Sequence, residues 1–102
     1  MISVTGVQCL RCKSIIVSRA GHDFHYCPCK TVFVDGGRSY LRFGYQTEDD
    51  VRRVRIDIPQ ISSVQELEDD YRHGHDKFGT FEPETHAFLN VRDATDEDLE
   101  KP

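Results

Sequence analysis

All four cysteines of the chain fall in two tight pairs, Cys9-Leu10-Arg11-Cys12 and Cys27-Pro28-Cys29, with fourteen residues between them. This is the spacing of a C-x2-C…C-x2-C metal site with the second pair one residue short. A chain of 102 residues buries only a modest core, and a bound metal is a strong staple at this size. Zinc requires deprotonated sulfur at about 2.3 Å in a tetrahedron, and a cysteine knuckle points two thiolates the same way. Arg11, Lys13 and Lys30 stand next to the sulfurs. Their positive charge favours the thiolate form and offsets the net negative charge of a four-thiolate zinc centre. Cys9, Cys12, Cys27 and Cys29 are therefore read as ligands of a structural Zn²⁺, whose four protein donors leave no position for a catalytic water.

Other readings stay open beside this one. Cysteines paired two by two also suit a disulfide framework, although nothing in the chain points to export. The short Cys27-Pro28-Cys29 pair leaves room for a mixed site in which His22 or His25 replaces a cysteine. An iron–sulfur centre or a redox dithiol uses the same residue type. If they are not ligands, His22 and His25 are placed to hydrogen-bond a carbonyl or a metal-bound sulfur.

Composition narrows the class. Hydrophobic residues are 37% and charged residues 30%, with no Trp and one Met, which suits a soluble domain with a small core. No apolar run approaches the roughly 18 residues that cross a bilayer. Met1 to Thr5 lack a basic segment leading into an apolar one, so no secretory signal is expected. The expected compartment is a reducing cytoplasm, where thiols bind metal. Charge divides unevenly. Residues 1–45 hold six Lys/Arg against Asp23 and Asp35, a balance of +4, and the rest holds seven basic against sixteen acidic residues, a balance of −9. Such an acidic half argues against non-specific binding of the whole chain to nucleic acid and suits a basic protein partner.

The residue pattern predicts a small β-rich α+β fold, a zinc ribbon with an antiparallel sheet and one packed helix. Val4 to Val7 reads as a strand into the first knuckle, and Ser14 to Ser18 as the β-branched strand leaving it. Phe24-His25-Tyr26 enters the second knuckle and Thr31 to Val34 leaves it. Asp35-Gly36-Gly37-Arg38 is a hairpin turn, since Asp and Gly tolerate positive φ. Ser39 to Tyr45 is the return strand, with Leu41, Phe43 and Tyr45 on one face. Arg53 to Ile58 alternates most clearly, placing Val54, Ile56 and Ile58 inward. Ser62 or Ser63 caps a helix over Val64 to Arg72 with Glu66 in a capping box, and Val64, Leu67 and Tyr71 are expected to face the sheet. Gly74 stops it. The organisation is thus a ribbon over 1–45 with its Asp-Gly-Gly hairpin, a strand–helix extension over 46–94 on the same sheet, and an acidic mobile tail over 95–102.

Candidate surfaces are fewer. Tyr40, Arg42, Arg53 and Arg55 combine an aromatic with cations and form a candidate nucleic-acid or partner contact, set against cross-strand pairing with acids such as Asp57. His73, His75 and Asp76, with His86 as a further candidate, offer a second metal site, set against an ordinary post-helix loop. Glu66, Glu68, Asp69 and Asp70 read as the wet face of the helix. No nucleophile motif, phosphate-binding glycine loop or paired-carboxylate pattern stands out, so no enzyme activity is expected.

The run His22-Asp23-Phe24-x-x-Cys27-x-Cys29, followed by Val34-Asp35-Gly36-Gly37-x-x-Tyr40-Leu41-Arg42, resembles a group of small zinc-ribbon proteins common in phage genomes. Their pattern is approximately C-x2-C…H-D-F-x2-C-x-C-G-x3-V-D-G-G-x2-Y-L-R, and the resemblance covers about residues 8–45. Lys13 and Lys30 depart from it, standing where glycine often follows the second cysteine of a knuckle. The resemblance implies a phage origin and favours a host-modulating or counter-defence role, but names no target; the expected mode of action is binding to a host protein in the host cytoplasm. A homo-oligomer built on an exposed edge strand is compatible with the same reading.

Overall fold

The computed structural model describes residues 2–20, 23–35, 43–74, 78–84 and 89–94. Its centre is a strand longer than the sequence pattern suggests. β1 runs from Ile2 to Cys9 and pairs antiparallel along its whole length with β6, Val51–Ile58. The other edge of β1 takes the two-residue β2, Ile15–Ile16. Outside these lie β7, Thr80–Phe81, against β2 and β8, Asn90–Asp93, against β6. The result is a five-stranded antiparallel sheet of order β7-β2-β1-β6-β8.

The strands around the second knuckle do not join it. β3 (Phe24–Tyr26), β4 (Val32–Asp35) and β5 (Phe43–Tyr45) form a separate antiparallel sheet of three. The single sheet expected from the sequence is therefore two. The physical reason is that next to the first knuckle β1 carries β2 on one edge and β6 on the other, so the knuckle strands pack on its face. Asp35 closes β4, and residues 36–42, with the two glycines of the expected turn, lie outside the described residues. The pairing of Val32 with Tyr45 and Val34 with Phe43 shows β4 and β5 running antiparallel.

Alternation along β1 and β2 divides the core. Val4 and Ile15 join Val17, Val54, Ile56, Ile58, Ile61, Leu67 and Phe81 on one face of the large sheet. Val7, Cys9 and Ile16 join Cys27, Val32 and Val34 on the other. Ile15 and Ile16 are neighbours, yet each belongs to a different cluster, as period-two geometry demands. Val54, Ile56 and Ile58 are fully buried as expected, and each such side chain contributes about 1.5–3 kcal/mol. Gly6 of β1 is required by close approach: a Cβ there would stand 2.6 Å from the carbonyl oxygen of Ile16.

The helix α1, Val64–Arg72, covers the first face through Leu67. The Glu66 carboxylate accepts from the backbone N–H groups of Ser62 at 2.6 Å and Ser63 at 3.2 Å, the reach-back half of the capping box. Gly74, at φ 73°, follows the C-cap residue His73 and ends the helix. Two expectations for this helix fail. Val64 is 49% exposed, while Glu68 and Asp70 are buried. The helix is turned by a buried ion pair of Asp70, so an acid from the expected wet face points inward.

Candidate metal centre

Each cysteine pair is closed by the same backbone device. In the first knuckle the N–H of Cys9 donates to the Ser14 carbonyl at 3.0 Å and that of Lys13 to the Cys9 carbonyl at 2.8 Å. In the second, the N–H of Cys27 donates to Val32 at 2.9 Å and that of Lys30 to Cys27 at 2.8 Å. Among the described residues, Lys13 (φ 66°) and Lys30 (φ 63°) are the two non-glycine residues with positive φ. These are the positions where glycine would be the unstrained choice. The missing residue of the Cys27-Pro28-Cys29 pair is absorbed before Lys30, and the closing hydrogen bond to the residue five beyond the first cysteine is kept in both.

The knuckles meet. The sulfurs of Cys9, Cys12, Cys27 and Cys29 all lie within 4.8 Å of one another. Cys29 Sγ stands 3.5 Å from Cys9 Sγ and 3.6 Å from Cys27 Sγ. A tetrahedron of sulfurs at about 2.3 Å from a central ion has edges of about 3.8 Å, so the cluster has the size of a four-sulfur metal site. A bonded disulfide, at about 2.05 Å, is far shorter, and all four cysteines are free thiols. The four residues can thus hold a metal ion.

Their environments differ. Cys9 and Cys27 are buried, Cys12 is half-buried and Cys29 is exposed. Burial pushes the Cys9 thiol up to about 12 and raises that of Cys27. Cys29 goes the other way, to about 6, chiefly through a hydrogen bond from Thr31, whose Oγ1 lies 3.1 Å from the sulfur. The N–H of Cys12 points at Cys9 Sγ across 3.5 Å, the amide-to-sulfur contact that supports a thiolate. Asp50 anchors the first knuckle from outside: its carbonyl accepts the Leu10 N–H at 2.8 Å and its carboxylate meets Arg11 at 3.5 Å.

His25 does not join the sulfurs. Its Nδ1 is 2.9 Å from Asp23 Oδ1 and its Nε2 is 2.9 Å from the Gly79 carbonyl. Both ring nitrogens are occupied, and the alternative in which His25 replaces a cysteine loses its donor atom. His22 lies outside the described residues.

His25 instead belongs to a buried charge network that the sequence pattern does not announce. Asp23 Oδ2 accepts from the backbone N–H and from Nε of Arg19, both at 2.8 Å. Arg19 Nη1 reaches Asp70 Oδ2 at 2.5 Å, and the same oxygen accepts the Phe78 N–H at 3.1 Å. The guanidinium also lies 5.6 Å from the centre of the Tyr71 ring, a cation–π distance. Burial would raise the Asp23 carboxyl, but hydrogen bonds from His25 and Arg19 prevail and hold it well below the usual carboxylate range. The His25 imidazole is raised: burial works against its charge, but its bond to Asp23 outweighs that cost. The network joins the loop after β2 to α1 and to the segment before β7. The visible signal was Arg19 and Asp23 at a spacing of four in a short loop, which reads equally well as solvated.

Of the remaining candidates, Arg53, Arg55 and His73 lie among the described residues. Arg53 and Arg55 lie on β6, on the face shared with Val7 and Thr5, and Arg55 Nη1 donates to Thr5 Oγ1 at 2.8 Å. Arg53 lines a cleft of about 300 Å³ with Phe43, Tyr45, Glu48 and Val51. Tyr40 and Arg42 lie outside the described residues, as do His75, Asp76 and His86. His73 caps α1. Among the described residues, no helix is long and apolar enough to cross a membrane.

One surface escaped the sequence reading altogether. Phe24 and Tyr26 of β3 and Phe33 of β4 share the outer face of the three-stranded sheet. Their ring centroids are 5.2 to 5.5 Å apart, and Phe24 and Tyr26 are 49% and 47% exposed. The signal was present as an aromatic at every second residue before the second knuckle and another just after it.

The site therefore defines a small two-sheet protein with a four-cysteine centre able to hold a metal. A family model described as a domain of unknown function (DUF7695) matches residues 1–45, the segment that contains both knuckles. Comparison with curated proteins and with solved structures gives no match.

Proposed function

We propose that this chain is a non-enzymatic binding module built on a zinc ribbon, encoded by a phage and directed at a host protein in the host cytoplasm. The observation that supports it most is the sulfur cluster, whose four donors fill a tetrahedral shell and leave no open position for chemistry. Zinc is the metal of choice for four thiolates at these separations. The phage origin and the host target rest on the motif resemblance over residues 8–45. The acidic balance of residues 46–102 favours a partner with a basic surface.

The test is metal analysis of the purified chain followed by affinity capture from a bacterial lysate with and without nuclease. One zinc per chain and a single stoichiometric protein that survives nuclease are the expected results. Iron in place of zinc would overturn the metal assignment. Recovery that disappears with nuclease would move the reading to nucleic-acid binding, first expected from Tyr40, Arg42, Arg53 and Arg55. A different surface, the aromatic face of β3 and β4, gives that second reading its best support.

A further inference from the structure

The outer face of the three-stranded sheet carries half-exposed aromatic rings. In the β3–β4 register Tyr26 stands opposite Phe33, and Phe24 opposite Asp35. In the β4–β5 register Phe33 stands opposite Gly44. Gly44 is bare for a reason: any Cβ there would overlap the Phe33 ring, which lies across the backbone of β5. Phe33 so becomes a floor, with the half-exposed Phe24 and Tyr26 rings beside it.

Charge is placed at one end of this platform. The loop joining β3 to β4 is the second knuckle, so the exposed Lys30 lies at the end nearest the Tyr26–Phe33 rung. The contact of Cys29 with Cys9 brings the first knuckle, with Arg11 and the exposed Lys13, to the same end. Asp35 marks the opposite end. Half-exposed rings on a sheet face, with cations at one border, are the elements that hold unpaired bases: the rings stack and the cations meet phosphate.

We propose that this face binds single-stranded nucleic acid, with bases stacked on Tyr26 and Phe24 and the backbone running toward Lys13 and Lys30. The inference goes beyond the host-protein reading and does not depend on it. Arg11 is engaged by Asp50, so the two lysines are the phosphate contacts. Because stacking tolerates any base, little sequence preference is expected.

The experiment titrates the zinc-loaded full chain into fluorescein-labelled oligothymidylate and follows anisotropy across a salt series. Saturable binding is expected at low salt, with a slope of log affinity on log salt of about −1.4 for two phosphate contacts. Tyr26→Ala and Phe24→Ala each weaken binding roughly tenfold or more, whereas Tyr26→Phe preserves it. Lys13→Gln with Lys30→Gln flattens the salt slope. Circular dichroism and zinc content of each variant establish that it is folded. Absence of binding at low salt overturns the proposal, as does unchanged binding by folded alanine variants. Self-association abolished by Tyr26→Ala, without oligonucleotide binding, overturns it and assigns the face to a second copy of the chain. A host protein whose capture is lost in the same variant, again without oligonucleotide binding, overturns it in favour of a protein contact.

Discussion

The five-stranded sheet is closed on one face by a sulfur cluster and on the other by a helix, and the two sides are built from different materials. The sulfur side packs Val7, Ile16, Val32 and Val34 around Cys9 and Cys27, six buried residues. The helix side packs nine buried residues, with Ile15, Ile56, Ile58, Ile61, Leu67 and Phe81 among them. The sulfur side, with fewer buried residues, also carries the four cysteines that can hold a metal. On the helix side, the remaining polar seam is closed by Arg19 between Asp23 and Asp70. The charge network thus belongs to the helix side and the cysteines to the other, although the four cysteines and the Arg19–Asp23–His25 part of the network all lie in the first thirty residues.

The largest effect should come from the metal. On the proposed zinc assignment, binding contributes on the order of 10 kcal/mol in small domains, so chelation or Cys9→Ser should unfold the three-stranded sheet. Amide hydrogen exchange resolved along the chain measures this, and equal loss of protection in α1 would show that the two sides are not separable. Next is Arg19→Met, which removes the cation between two buried carboxylates and should cost about 3–5 kcal/mol while metal content stays at the wild-type value. A change in metal stoichiometry would join the network to the sulfur side.

Acid should sharpen the same contrast. The Asp23 carboxyl is held below its ordinary value, so its contribution is complete above the unfolded pKa of about 3.9 and disappears as pH falls through the folded value. Urea unfolding between these limits should show a steeper loss in the wild type than in Asp23→Asn, the comparison between the two removing the part due to metal release. The smallest effect concerns the knuckles. Lys13→Gly and Lys30→Gly relieve a left-handed backbone and should each stabilise by up to about 1 kcal/mol. Thermal unfolding of the metal-loaded variants decides it, and destabilisation would mean that the lysine side chains contribute more than their backbone costs.

How much of this was visible beforehand depends on whether the signal was local. The cysteine cluster follows from spacing and residue chemistry, and the positive φ of Lys13 and Lys30 follows from their places in the knuckles. The α1 boundaries follow from Ser63, Glu66 and Gly74, and the inward face of β6 from strict alternation. Non-local choices were hidden. Nothing in Val4 to Val7 tells that β1 spends both of its edges, which is what turns one expected sheet into two. Asp70 looked like any acid on a helix until Arg19, far away in sequence, turned the helix toward it. Phe24, Tyr26 and Phe33 lay in plain view as strand residues, but which side of a strand is covered depends on what packs there.

The pairing of β1 with β6 also has a consequence for the order of assembly. Every rung, from Ile2 with Ile58 to Cys9 with Val51, joins the opening strand to residues made much later. Non-local pairing of this kind is slow to form. Both knuckles, by contrast, are complete once Val32 has left the ribosome, before β6 has emerged. Metal capture by the nascent chain would then hold β1 beside β4 and shield its Val7 face, so that the emerging β6 finds its template already in position.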